Sequence, residues 1–107
     1  MSKTSLGLEE NVEAALSYVL LWITGIVFYI LERESEFVRF HAMQSIVVFL
    51  SLTVLQKLVL VIPLLGAVFS LLVSVLGFIL WILLIVKAYQ GEFFKLPIAG
   101  EVAERLQ

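Results

Sequence analysis

The sequence predicts an all-α fold: an integral membrane helical bundle of three transmembrane helices with a short C-terminal amphipathic interfacial helix. Two observations carry this. The first is composition, since 62% of the 107 residues are hydrophobic and the mean hydropathy is +1.09, far above ordinary globular domains. A small soluble domain buries only part of the surface its chain exposes, so the solvent for most of this chain must be lipid. The second is the placing of charge. From Val12 to Tyr89 the charged residues are Glu13, a cluster from Glu32 to Arg39, Lys57 and Lys87, which leaves three long apolar runs.

Residues 1–8 form a lead-in. Glu9, Glu10 and Glu13 stand where a helix begins, because carboxylates complement the positive end of the helix dipole. Residues 12–31 are span one, since about twenty residues cover roughly 30 Å of hydrocarbon. This run lacks the basic n-region and small-residue exit of a signal peptide and is expected to remain as a span. The charged stretch that follows marks a water interface. Ser35 suits an N-cap, with Glu36 in the first turn and Arg39 one turn on. Span two covers residues 42–62, its helix starting back near Ser35, and Lys57 can snorkel from its far end. Pro63 disfavours helix at Ile62, so Pro63 to Gly66 is a turn. Span three covers residues 67–89. A split at Gly77 would leave two pieces too short to cross. In the tail, residues 92–107, Pro97 suits a first helical turn. Ile98, Ala99, Val102, Ala103 and Leu106 share a face opposite Glu101, Glu104 and Arg105, as in an interfacial helix. The whole of 1–107 reads as one membrane domain.

Composition excludes much chemistry. Without cysteine there is no disulfide, thiolate metal site or cysteine nucleophile. A net charge of −2 is no footprint for nucleic acid. There is no Asp for a Ser/His/Asp set, no glycine-rich phosphate loop and no HExxH, and His41 alone is no metal site. We expect no enzyme activity, no cofactor and no metal. Three spans place the termini on opposite sides. Arg33, Arg39, Lys87, Lys95 and Arg105 against Lys3 and Lys57 then set the N-terminus outside and the C-terminus inside the cell membrane.

Three sets of residues are candidates for a role. His41, Gln44 and Ser45 stand together at the mouth of span two; bonding between helices is favoured over a proton or substrate contact. Ala67, Ser70, Ser74 and Gly77 recur at spacings of three and four on span three, with a weaker pattern of Ala14, Ser17 and Thr24 on span one. Small residues on one face let helices approach closely in lipid. Ser45, Ser51, Thr53 and Gln56 could line an aqueous path, although Ser and Thr more often bond their own helix. Lys87 and Lys95 are expected to find counter-charge in Glu32, Glu34 and Glu36.

The entry to span two, Phe37 to Ser45, and the exit of span three, Lys87 to Glu101, are distinctive, as is the opening Thr4 to Asn11. Together they resemble a family of small prokaryotic multi-pass membrane proteins of unknown function, archaeal members included, related at a distance to the Tic-twenty component of the chloroplast inner-envelope import machinery. The likeness covers nearly the whole chain. Its matching positions are Arg39, Phe40, His41, Gln44 and Ser45 at one end and Lys87, Gly91, Pro97 and Gly100 at the other. The plant relative implies handling of other proteins at a membrane and is usually described with four spans. Both clusters flank the same face and are expected to meet there.

The reading that follows is a non-enzymatic membrane protein acting by contact, in assembly or protein translocation. Its partners would be membrane lipid, further copies of itself or other membrane proteins, and not nucleic acid. The alternative is an oligomeric pore or carrier for a small solute.

Overall fold

A computed structural model of the chain describes residues 3–106. Met1 and Ser2 of the lead-in and Gln107 of the tail lie outside the described residues. The described residues form five helices and no strand. These are α1 (Glu10–Val19), α2 (Trp22–Leu31), α3 (Glu36–Val59), α4 (Leu65–Tyr89) and α5 (Ala99–Leu106). A single π-helical turn, Ile46–Leu50, interrupts α3.

The main correction concerns span one. Two helices, not three, are long and apolar enough to cross a membrane: α3 with 24 residues and α4 with 25. Span one is instead broken into α1 and α2, ten residues each. The break is at Leu20 and Leu21, where Leu21 takes a φ of 59°. No Pro or Gly marks it in the sequence.

The two halves fold back on one another. Glu10 accepts a hydrogen bond from Ser35 Oγ at the start of α3, and Tyr18 packs on His41 and Phe49 further along it. α1 therefore runs alongside the first half of α3. α2 returns, with Gly25 against Ala42 and Ser45 and the Tyr29 carbonyl beside Arg39. Glu32 then receives the Ser35 N–H at 2.9 Å. The pair is a helical hairpin with both ends at the N-terminal end of α3 and its tip beside Ser45.

Side chains take up several of the backbone groups freed at this tip. Thr24 Oγ1 accepts from Leu20 N at 3.0 Å and donates to the Ser17 carbonyl at 3.1 Å. Ser45 Oγ donates to the Leu21 carbonyl at 2.7 Å, and Trp81 Nε1 to the Tyr18 carbonyl at 2.8 Å. A break between two apolar helices survives only where its freed backbone groups find partners, and three helices supply side chains here.

Ser35 caps α3 as its sequence suggested, accepting from Val38 N at 3.2 Å. α4 turns back along α3 after Pro63. The turn is so close that a Cβ on Gly66 would lie 2.4 Å from the Val59 carbonyl oxygen. After Gly91, at a φ of 81°, the chain runs back along α3 as an extended strap. α5 then returns to place the Leu106 carbonyl at the Tyr29 hydroxyl, 3.3 Å. The interfacial tail is thus docked on the bundle through Gly100 and Ala103, both buried.

The molecule is elongated, 50 × 22 × 21 Å. Its core lies at one end, where Ala14, Tyr18, Val38, Phe49, Leu84 and Ala88 pack together. At the other end α3 and α4 stand as a bare pair: Ser51–Val59 has no buried residue, and α4 buries only Gly66, Leu84 and Ala88.

Candidate functional site

The packed end encloses two polar clusters. The first joins α1, α3 and the tail through Tyr18, His41 and Gln44, all fully buried. His41 Nε2 lies 2.7 Å from the Glu92 carbonyl. A carbonyl only accepts, so Nε2 carries the proton and Nδ1 is the acceptor. The Tyr18 hydroxyl, 2.6 Å from Nδ1, is then the donor to it. Gln44 Nε2 donates to the Tyr18 oxygen at 3.0 Å and to the Phe94 carbonyl at 2.9 Å. Gln44 Oε1 accepts from Leu96 N at 3.0 Å. One chain of hydrogen bonds thus fixes one imidazole tautomer and holds the strap at three backbone positions. Phe37 and Phe40 meet His41 edge-on, and Phe93 lies stacked over it with ring centroids 6.5 Å apart.

The second cluster is a carboxyl pair. Glu13 and Glu32 are both fully buried. Glu13 Oε2 and Glu32 Oε1 receive no hydrogen bond from any other described group, and a proton on Glu13 is what lets the two carboxyls bond to one another. Glu13 Oε1 accepts from Thr4 Oγ1 at 2.9 Å. Glu32 Oε2 accepts backbone N–H groups from Ser35 at 2.9 Å, Glu34 at 3.0 Å and Ser5 at 3.4 Å. Burial, reinforced by Glu32, pushes Glu13 up to about 7. Burial acts on Glu32 in the same sense, but the Ser35 N–H and the other donors outweigh it and hold Glu32 down at about 2. The pair therefore holds one proton, on Glu13, and ties the lead-in, α1, and the α2–α3 junction together.

The residues singled out from sequence separate as follows. His41 and Gln44 meet the strap, and Phe40 packs on Phe93. Gly100 sits so tightly that a Cβ would be 2.9 Å from Gln44 Oε1. Pro97 accepts from Ala99 N at the strap's end. Ser45 turns to the α1–α2 tip instead. Arg39 faces α2, donating to the Tyr29 and Glu32 carbonyls at 2.9 Å and stacking over the Tyr29 ring. The expected counter-charges are corrected. Lys87 pairs with Glu92 at 3.1 Å and Lys95 with Glu104, since the strap and α5 bring their own carboxylates to these lysines. On α4, Ser70 and Ser74 accept from Gln56 Nε2, Gly77 lies against Leu52, and Ala67 is exposed. Thr53 bonds its own helix at Phe49.

Tyr18, Glu13 and Glu32, which carry these clusters, and Trp81 at the hairpin tip were not legible as site residues, and Thr24 was legible only as a small residue on span one. In the sequence Tyr18 and Trp81 are aromatics inside apolar runs, and the two glutamates are charges at the two ends of span one. The available signal was a carboxylate one turn into an apolar helix, a costly place unless a partner awaits. Among the described residues no group of three metal-ligating side chains occurs.

Two long helices exposed along most of their length, sealed at one end by buried polar bonds, define a small helical membrane protein. The chain belongs to the magnetosome magnetite crystal formation protein family, whose model matches residues 9–103. It is 56% identical over 105 residues to a UPF0132 membrane protein of Methanocaldococcus jannaschii, covering 98% of this chain and 94% of that one. A second UPF0132 membrane protein of the same organism is 50% identical, over 94% of this chain and 72% of that one. One from Archaeoglobus fulgidus is 47% identical, over 92% and 95%. No solved structure matches. The likeness to small archaeal membrane proteins is thereby shown. The more distant link to the chloroplast import component is not shown by these matches, and nothing in them supports the protein-transport role it implied.

Proposed function

We propose that this chain is a two-span membrane protein that works by contact, presenting a rigid polar platform at one membrane face. α3 and α4 are about 36 Å long or more and cross the bilayer. α1 and α2, about 15 Å each, enter from the platform side and return within one leaflet. Both termini then share a side with the α2–α3 junction. Lys3, Arg33, Arg39, Lys87, Lys95 and Arg105 gather there against Lys57 alone, which favours both termini inside. This replaces the opposed termini that three spans imply.

The observation that carries a contact role is the investment of buried polar groups in fixing surface segments. Tyr18, His41 and Gln44 hold the strap, and Glu13 and Glu32 hold the lead-in. The polar side chains Ser45, Thr53 and Gln56 bond to backbone and to neighbouring helices, which favours this reading over a water-filled path. The family's description speaks of magnetosome magnetite crystal formation; carried to this chain, it would make the platform the surface that meets the partners of such a process.

Two measurements test the reading. Single cysteines at Ser5, Val61 and Leu106, labelled by an impermeant reagent in intact cells, should react only at Val61. Reaction at one terminus but not the other would refute the shared side. Photo-crosslinkers at Arg33 and Glu101 should capture a defined protein, and one at Val61 should not. Solute flux through the purified chain in liposomes, without crosslinks from the platform, would overturn the contact role.

A further inference from the structure

Below the α1–α2 tip, α3 and α4 diverge around a cavity of about 510 Å³, within the size range of small-molecule sites. Leu21 and Trp81 close it at mid-molecule, Phe49 and Phe78 form its apolar walls, and Lys57 and Leu60 stand at its far end. We infer that this groove binds one anionic phospholipid from the leaflet opposite the platform, its chain along α3 and its phosphate at Lys57.

Three observations select this occupant. The first is length. From Phe49 to Leu60 is about 16 Å of helix, against ~15 Å for half the hydrocarbon thickness. The tip of the re-entrant hairpin thus stops the groove where one leaflet ends. The second is charge. No carboxylate lies between Glu36 and Glu92 in the sequence, and Lys57 makes no ion pair among the described residues. The cation at this end therefore has to find its anion outside the fold, and at the end of a span the available anion is a lipid phosphate. The third is a polar handle beside it. Gln56 Oε1 is buried and receives no hydrogen bond, while its amide nitrogen is held by Ser70 and Ser74. Gln56 lines the groove, so this unmet acceptor next to a lysine takes a headgroup hydroxyl once its side chain turns to the bound lipid.

The inference rests on α3 and α4 crossing the bilayer, and resistance of the chain to carbonate extraction from membranes tests that separately. The purified full chain in mild detergent is offered equal amounts of phosphatidylglycerol and phosphatidylcholine, and retained lipid is counted by native mass spectrometry. One phosphatidylglycerol should be retained in preference. Lys57→Gln should lower that preference roughly fivefold, and Arg33→Gln at the platform should not. Gly77→Leu, projecting into the groove, should abolish retention of both lipids. A chain that resists extraction yet shows no headgroup preference, or a preference untouched by Lys57→Gln, overturns the site. Retention of no lipid by the wild type, with Gly77→Leu breaking up an oligomer, overturns it in favour of a second copy. Lys57 is exposed, so its variant decides even if Gly77→Leu does not fold.

Discussion

The Tyr18 hydroxyl donates to Nδ1 of His41 across 2.6 Å, and the opposite ring nitrogen holds the backbone of Glu92. A residue of the first helix thereby sets the proton position that lets the third helix grip the tail. Neither residue would serve alone, because a free imidazole is as ready to carry its proton on the other nitrogen.

Gln44→Leu is expected to release the strap. It leaves the Phe94 carbonyl and the Leu96 N–H without partners, and an orphaned buried group costs about 1–3 kcal/mol. Thermal unfolding in detergent should drop, and limited proteolysis should cut between Gly91 and Ala99 where the wild type resists. Unchanged protease resistance would show that the strap is held by packing alone.

The carboxyl pair gives a pH dependence with two limbs. Glu13 ordinarily ionises near 4.5 and is raised to about 7, so its contribution is full below 4.5 and lost as pH rises towards 7. Glu32 is lowered from 4.5 to about 2, so its contribution is present above 4.5 and lost as pH falls towards 2. Stability should peak near pH 4.5–5 and decline towards neutrality, by on the order of 2–3 kcal/mol at ~1.4 kcal/mol per pKa unit. Glu13→Gln, which donates to Glu32 without ionising, should flatten the alkaline limb. Melting curves of both proteins from acid to alkaline buffer check this, and parallel curves would refute it.

The glycines should divide by geometry. Gly66→Ala places a methyl 2.4 Å from the Val59 carbonyl and Gly25→Ala one 2.8 Å from the Ala42 carbonyl; both should destabilise, by about 1–3 kcal/mol. Gly77→Ala meets Leu52 at an ordinary 3.5 Å and, being mid-helix, should be neutral or stabilising by up to ~1 kcal/mol. Ranking the three by detergent melting temperature tests the close approaches directly.

The hairpin tip should depend on its side-chain caps. Thr24→Val removes the hydroxyl that serves Leu20 N and the Ser17 carbonyl while keeping the volume. Ser45→Ala frees the Leu21 carbonyl. Each should cost about 1–2 kcal/mol. Serine at position 24 should recover most of the loss, which a purely steric role for Thr24 would not allow.

The sequence by itself determined the solvent, the two long helices and the Ser35 cap of the first of them. Runs of apolar residues such as Ala67 to Val86, and charges at Glu36, Lys87 and Glu92, depend only on local chemistry and on the thickness of a bilayer. It also brought out His41 and Gln44 as a pair one turn apart. Only the tertiary structure decided that Val12 to Leu31 is a folded-back hairpin. A largely apolar run of twenty residues satisfies the length rule for a span whether it runs straight or turns, and Leu20 and Leu21 carry no breaker. What allows the turn is a set of partners distant in sequence, Ser45 and Trp81, together with Thr24, whose hydroxyls and indole take up the freed backbone. The same holds for Glu13 and Glu32. Nineteen positions apart, they read as charges at two helix ends, and became one buried carboxyl pair only once the hairpin closed.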